Sequence, residues 1–295
     1  GAITAVGANL GAGQLSSGPG VVTLNGDAAA EDVDVNSGEL NLNGSLTGAT
    51  DVTVLGGAIL RSASVDRINN AATVNLASGA NWILGGDEGI TSFVSSGLLN
   101  GSGLLTSAQY DLSNGAVTAV GADLGAGLLN SGPGAVILNG NTNADFTNVN
   151  SGTLTTEGEV HNPGGVITVG AGATWFVNGL YSYDSLRGNG TVDPGGVNGN
   201  TFTNSTNLRP GTSIGTLAVV GDYVESGTFH GELDLDPTSQ GDPYLLSDTL
   251  ATSGTTTLTA SSVLRPTAIN GLTPGGGLIG HRFNIISATG GIVDG

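Results

Sequence analysis

Residues 1–26, GAITAVGANLGAGQLSSGPGVVTLNG, recur at residues 115–140 as GAVTAVGADLGAGLLNSGPGAVILNG. By direct count 20 of the 26 positions are identical, and the copies lie 114 residues apart (115 − 1). The similarity continues at this offset through Asn36-Ser37-Gly38 and Asn150-Ser151-Gly152. Internal repetition on this scale predicts tandem modules, starting at residues 1 and 115, that bury their apolar faces on one another.

Short segments within each module alternate apolar and polar residues, as in Val22-Thr23-Leu24, Leu40-Asn41-Leu42 and Val52-Thr53-Val54. Alternation with a period of two predicts half-buried strands. Many of these segments end in Asn-Gly, for example Asn25-Gly26 and Asn43-Gly44. Because Asn and Gly tolerate positive φ, such pairs predict turns. No segment of ten or more residues has a helical period, so we expect negligible helix.

Two all-β architectures fit these strands: a sandwich or barrel of antiparallel hairpins, and a parallel solenoid. The tandem module and the very short strands favour the solenoid. We therefore predict an all-β, right-handed parallel β-helix, with roughly 13 coils if each coil takes about 22 residues. Aromatic residues make up only 4% of the chain, which suits a narrow interior. Trp82 and Trp175, each preceded by Gly-Ala-x, are expected to pack inside.

The charge of the chain limits its partners. It contains six Arg, no Lys and no Cys, and its formal net charge is −18. Such an acidic chain repels phosphate backbones and anionic lipids, so we expect no nucleic-acid binding and no membrane insertion by this segment. Without Cys, a thiolate nucleophile and a Cys-ligated zinc site are excluded. The composition is compatible with an extracellular or cell-surface location.

Several motifs resemble those of bacterial autotransporter passenger domains. Gly134–Gly140 (GAVILNG), followed by the strand at 149–154, resembles the passenger-associated transport repeat. In the C-terminal third, Leu186–Val192 (LRGNGTV) and Pro210–Leu217 (PGTSIGTL) resemble the end of a passenger, a region often proposed to nucleate folding. Tyr110-Asp111-Leu112 is similar to strand repeats of large bacterial adhesins.

This resemblance implies two regions: a repeat β-helix over residues 1–185 and a C-terminal autochaperone-like cap over residues 186–295. It also implies type V secretion, with a translocator barrel expected after Gly295 in a precursor.

We predict no catalytic residue and no cofactor. The segment Gly211–Gly215 (GTSIG) matches the nucleophile elbow of hydrolases, which needs a helix after the serine. Here Pro210 precedes the segment and a strand-like run follows, so a structural turn is expected. The three histidines, His161, His230 and His281, are scattered and form no zinc-binding spacing. His230 is expected to point outward next to an inward Phe229.

Acidic residues alternate with apolar ones in two segments. Asp32 and Asp34 share one strand face, as do Glu232, Asp234 and Asp236. Solvated outer faces are the first interpretation. The alternative is a calcium site at Asp234 and Asp236, because calcium takes several oxygen ligands.

The chain is thus predicted to be a secreted or surface-displayed adhesive β-solenoid that attaches to a surface receptor or glycan, or associates with its own copies edge to edge or laterally. A self-assembling extracellular filament is the first alternative, since solenoid ends carry unpaired strand edges. A glycan-active β-helix enzyme is the second. It would need an Arg beside paired carboxylates in a groove. The absence of Lys and the isolation of the Arg residues in the sequence argue against it.

Overall fold

The computed structural model describes residues 3–5, 10–112, 118–196, 199–211, 213–235, 245–269 and 283–295. These residues form short strands joined by turns, with no helix. Nearly all strand pairs are parallel, each strand pairing with one that lies a coil further along the chain. The predicted all-β parallel β-solenoid is confirmed.

The strands of the first half follow the Gly and Asn-Gly turns closely. They are β1 Ile3–Ala5, β2 Gln14–Ser17, β3 Val21–Leu24, β4 Asp32–Val35, β5 Glu39–Leu42, β6 Asp51–Val54, β7 Ile59–Ser62, β8 Thr73–Leu76 and β9 Asn81–Leu84. Next come β10 Glu88–Ser95, β11 Leu98–Gly101, β12 Leu104–Leu112, β13 Thr118–Val120, β14 Asp123–Leu124, β15 Leu128–Ser131, β16 Ala135–Leu138, β17 Phe146–Val149 and β18 Thr153–Thr156.

The strands of the second half are equally short. They are β19 Val160–His161, β20 Val166–Val169, β21 Thr174–Val177, β22 Tyr181–Ser182, β23 Ser185–Gly188, β24 Thr191–Asp193, β25 Thr201–Asn204, β26 Asn207–Pro210 and β27 Thr216–Val219. The last are β28 Asp222–Glu225, β29 Thr228–Leu235, β30 Leu245–Ser247, β31 Thr249–Thr252, β32 Thr256–Leu258, β33 Val263–Ala268, β34 Ile286–Ala288 and β35 Ile292–Asp294.

The chain divides into two compact units. Unit 1 comprises residues 1–148, 152–162 and 179–181; unit 2 comprises residues 149–151, 163–178 and 182–295. In unit 1 one sheet runs β1-β3-β5-β7-β9-β11-β13-β16-β18, and a second runs β2-β4-β6-β8-β10-β12-β15-β17. Its third side is held by single parallel bridges, such as those that link Ala28 to Leu10 and to Leu46.

The strand register explains the length of the duplication. One inward column in unit 1 starts at Leu15 and reaches Leu129 in six parallel steps, so the 114 residues between them (129 − 15) span six coils. The column consists of Leu15, Val33, Val52, Val74, Phe93, Tyr110 and Leu129. Because the module contains a whole number of coils, the strand with Leu129 lies on the same face of unit 1 as the strand with Leu15, and both leucines point inward.

One glycine shows why its segment is retained in both copies. Gly38 has φ +69°, and a Cβ there would lie 2.2 Å from the carbonyl oxygen of Gly20 in the preceding coil. Its equivalent Gly152 has φ +67°, and a Cβ there would lie 2.1 Å from the carbonyl oxygen of Gly134. Both the left-handed backbone and the close coil-to-coil approach require glycine at this turn.

Apolar side chains fill the interior of unit 1, and both tryptophans of the chain are buried as predicted. Trp82 is fully buried, its ring centroid 5.9 Å from that of Phe93. The indole N–H donates to the hydroxyl of Ser62 at 3.2 Å, so the polar atom is satisfied inside the core.

Unit 2 has three sheets with longer connections. They run β20-β23-β26-β29, β21-β24-β27-β31-β34 and β25-β28-β32-β35, with β33 also parallel to β29 and β30 antiparallel to it. Aromatic rings link successive coils of the interior: Phe202 lies 6.1 Å from Trp175 and 6.4 Å from Tyr223 between centroids. Such aromatic pairs add to the stability gained from burial.

Candidate functional site

The outstanding surface feature of unit 2 is a column of three arginines and one histidine. Arg187 of β23 pairs in register with Arg209 of β26. In the next coil Leu208 pairs with Phe229, so the following residue, His230 of β29, lies beside Arg209. His230 in turn pairs with Arg265 of β33. Neighbouring parallel strands are about 4.8 Å apart, so these four residues, here named the cation column, follow one another at that spacing.

Strand alternation points the cation column outward. Each of its members directly follows an inward residue of the same strand: Leu186, Leu208, Phe229 and Leu264 respectively. Phe229 is buried and His230 is half-buried, as the sequence predicted for this pair. The three guanidinium side chains of the column belong to exposed residues.

The cation column has few internal partners. Arg187 donates its Nε–H to the hydroxyl of Thr168 at 3.0 Å, and His230 Nε2 lies 3.1 Å from the side-chain oxygen of Asn207. In the part of the chain that the structure describes, no carboxylate lies within 4.0 Å of a guanidinium of the column. Burial, and then the charges of Arg209 and Arg265, lower the pKa of His230. The described part of the chain therefore provides no ion pair to the column.

Two cavities adjoin the cation column. The first, about 360 Å³, is lined by Arg187, Arg209, His230, Glu232 and Asp248 among others. The second, about 210 Å³, is lined by Arg187, Arg209, Ser185, Asn207 and Asp184 among others.

A carboxylate beside arginines is the arrangement that the enzyme alternative requires, so the role of Asp248 decides how the first cavity is interpreted. Its two oxygens accept the backbone N–H groups of Gly215 at 3.0 Å and Glu232 at 2.8 Å. The residue is buried, and this burial raises its pKa to about 6. Asp248 thus links the segments that contain Gly215 and Glu232 through hydrogen bonds at the cavity.

The segment that matches the nucleophile elbow also borders the first cavity, whose lining includes Gly211. Gly211 and Ser213 lie between strands β26 and β27, with no helix following. Gly211 has φ +88° and donates its N–H to the carbonyl of Gly188 at 2.6 Å. Strand β27 follows the segment in place of the helix that a nucleophile elbow needs, while Thr212 lies outside the described part of the chain.

The predicted calcium candidates are only partly within the described residues. Asp234 belongs to β29 but its side chain is not described, and Asp236 and His281 lie outside the described ranges. Among the residues that are described, no group of three or more His, Cys, Asp or Glu could hold a metal ion. Asp32 and Asp34 face outward on β4, and Asp34 accepts a hydrogen bond from Gln14 at 2.6 Å.

Sequence reasoning missed a second set of polar residues, the buried carboxylates. In unit 1 Glu88 accepts the backbone N–H groups of Arg67 at 2.9 Å and Ile68 at 3.1 Å. Burial raises its pKa to about 7, partly opposed by these hydrogen bonds. Strand alternation could have predicted that Glu88 is buried, because it places Glu88 on the same face as the buried Ile90.

Glu225 plays the same part in unit 2. It accepts the backbone N–H of Gly227 at 2.7 Å and a side-chain N–H of Asn204 at 2.9 Å, and it also binds the hydroxyl of Tyr223. Desolvation by burial raises the pKa of the Glu225 carboxyl. Here too alternation, which puts Glu225 on the face of Tyr223, was the available signal.

Comparisons with known proteins add no further assignment. No protein-family model, curated protein or solved structure matches this chain. The β-solenoid fold consequently rests on the strand pairing described above. None of the described residues forms a helix long and apolar enough to span a membrane.

The raised pKa values predict that the folded state loses stability as pH rises. Between pH 4.5 and 7 the folded protein keeps a proton on Glu88 that the unfolded chain has released. Asp248 and Glu225 act in the same direction. We therefore expect the free energy of unfolding, from urea titrations, to fall between pH 5 and pH 8, with Glu88 accounting for about 2 kcal/mol.

The variant Glu88→Gln isolates this contribution, because glutamine keeps an oxygen acceptor but cannot ionise. It should lose less stability over the same pH interval than the wild-type chain. Glu31→Gln, at an exposed residue of the same unit, is the matched control and should retain the wild-type pH dependence. Equal slopes for Glu88→Gln and the wild type would contradict the assignment.

Proposed function

We propose that this chain is an extracellular, surface-displayed β-solenoid whose activity is attachment, and that the cation column of unit 2 is its binding face. The observation that carries the proposal is the concentration of Arg187, Arg209, His230 and Arg265 in one outward column of a chain with net charge −18. An acidic chain that places three of its six Arg in one stack has a local surface unlike the rest.

The resemblance of the motifs to autotransporter passengers supports the extracellular location. The stacked coils suit such a role physically, because each coil buries its apolar side chains on its neighbours and leaves alternate residues free for display. Type V secretion and a cell-surface position are part of the proposal on this basis.

Attachment fits the first cavity better than catalysis does. A general acid or base needs a carboxyl whose oxygen is free to exchange a proton with substrate. Both oxygens of Asp248 accept backbone N–H groups instead. Glu232 lies two residues after His230 on the same strand, and its backbone N–H is one of those donors. The Asp248 carboxylate therefore has a structural role at the cavity, and the arginines provide its positive charge.

The proposal is tested by attachment of the whole chain to cell surfaces. Beads coupled to the chain should be retained on a cultured epithelial cell layer under flow at about ten times the level of control beads, because many weak contacts act together. The control beads carry an unrelated protein of similar mass and net charge. Equal retention of both kinds of bead would contradict an attachment function.

Self-association is a second candidate function, and the last coil of unit 2 favours it. In β33, Leu264 continues the inward column of Leu208 and Phe229 but is 51% exposed. In β35, Ile292 follows the buried Tyr223 and Thr256 and is 54% exposed. Within the described residues this end of unit 2 thus presents apolar inward positions and strand edges, which favour pairing with another chain. The occupant we propose is a second copy.

Sedimentation velocity at increasing protein concentration tests this association. The wild-type chain should form species larger than the monomer, and Leu264→Asp/Ile292→Asp should remain monomeric because charges would be buried in the contact. Val263→Asp/Val293→Asp adds the same charges at outward positions of the same strands and should still associate. A monomeric wild-type chain, or equal behaviour of the two variants, would rule the association out.

A further inference from the structure

The arginines that the structure describes differ in their placement. In unit 1, Arg61 donates to the carboxylate of Glu39 at 2.9 Å, and Arg67 donates to the hydroxyl of Ser64. In unit 2, Arg187, Arg209 and Arg265 lie in the cation column, where Arg187 donates to the hydroxyl of Thr168 and no described carboxylate lies within ion-pair distance. Among the described residues, only the arginines of unit 2 share one outward column.

The cation column is unfavourable for folding by itself. Like charges directly opposite on neighbouring strands repel each other, and the register places guanidinium groups opposite one another in β23 and β26. The corresponding outward column in unit 1 contains Ser16, Asp34, Thr53 and Asn75, with no cation. A costly stack of like charges in only one unit indicates a ligand that supplies the opposing charge.

A column of hydrogen-bonding groups runs beside the cations. Ser185, Asn207 and Thr228 pair in register, two residues before the cationic member of each strand. Two residues along a strand correspond to about 6.7 Å. The face therefore offers an arginine in three of its four coils and a half-buried amide or hydroxyl at Asn207 and Thr228, whereas Ser185 is buried. The second cavity lies between the two columns.

We propose that this face binds a linear acidic polysaccharide, carboxylated or sulfated, whose anionic groups contact Arg187 and Arg209 in adjacent coils and Arg265 two coils further on, while its hydroxyl groups face Asn207 and Thr228. The assignment rests on the proposed attachment function and gives its ligand a chemical class. Guanidinium groups suit this role because they bind carboxylate and sulfate oxygens through two parallel hydrogen bonds.

Charge spacing favours a polysaccharide over a nucleic acid. Duplex DNA carries one charge per about 1.7 Å, much denser than a column whose members lie about 4.8 Å apart, and the remaining charge of this chain repels it. An acidic polysaccharide with an anionic group on each sugar, or on alternate sugars, has a charge repeat closer to the coil spacing. Its hydroxyl groups also bind the neutral column, for which inorganic polyphosphate has no counterpart.

Isothermal titration of the full chain with defined probes tests the assignment. Polygalacturonate and dextran sulfate should bind, with affinity falling as salt concentration rises. Neutral dextran should show no binding, and polyphosphate and single-stranded DNA should bind at least about tenfold more weakly. Equal binding of neutral dextran, or tighter binding of polyphosphate or DNA, would overturn the assignment.

Two charge-matched variants locate the site. Arg209→Gln removes the central cation of the column and should weaken binding of the preferred polysaccharide about tenfold, since a charge-assisted contact is lost. Arg61→Gln removes one cation from unit 1 and should change affinity less than about twofold. Circular dichroism and melting curves confirm that both variants fold. Equal affinity of the two variants would overturn the site.

The bead assay separates this inference from the proposed function. If Arg209→Gln beads are retained on cells like wild-type beads, attachment stands and the polysaccharide site is overturned. If wild-type beads are not retained but the chain binds acidic polysaccharide in an Arg209-dependent manner, the site stands and cell attachment is overturned.

Discussion

Parallel pairing of each coil with the next is the constraint on which the structure depends. Because paired strands keep their register, each residue lies beside the residue at the same position of the next coil. Side chains of one chemical type can therefore form columns that run from coil to coil. Inside, this produces the apolar column from Leu15 to Leu129. Outside, it assembles Arg187, Arg209 and Arg265 from positions that are far apart in the sequence.

The same stacking explains where polar groups enter the interior. Turns between coils leave backbone N–H groups that a strand cannot satisfy, and buried polar groups without partners are costly. Glu88, Glu225 and Asp248 each accept at least one such N–H group. Burial raises the pKa of each carboxyl, so these residues also connect the stability of the coils to pH.

Much of the fold could be predicted from local patterns, whereas the site could not. Alternation and Asn-Gly pairs indicated strands and turns, and the duplication indicated stacking. Coil length is less regular: Asn81 pairs with Leu98, 17 residues on, whereas Thr191 pairs with Ala218, 27 residues on. Turns of different lengths accommodate these differences in coil length, so residue spacing alone did not show which arginines lie beside one another. The recurring Leu-Arg pairs at 186–187 and 208–209, 22 residues apart (208 − 186), were the available hint.

Disulfide trapping tests the register that creates the cation column most directly, because the chain contains no Cys. Asn207 and Thr228 pair across β26 and β29, so their Cα atoms lie about 4.8 Å apart, within reach of a disulfide. Arg209, in the same strand β26, is two residues out of register with Thr228, at roughly 8 Å, beyond that reach. Under mild oxidation Asn207→Cys/Thr228→Cys should lose its free thiols, and Arg209→Cys/Thr228→Cys should keep them. The reverse result would contradict the stacking of Arg209 on His230.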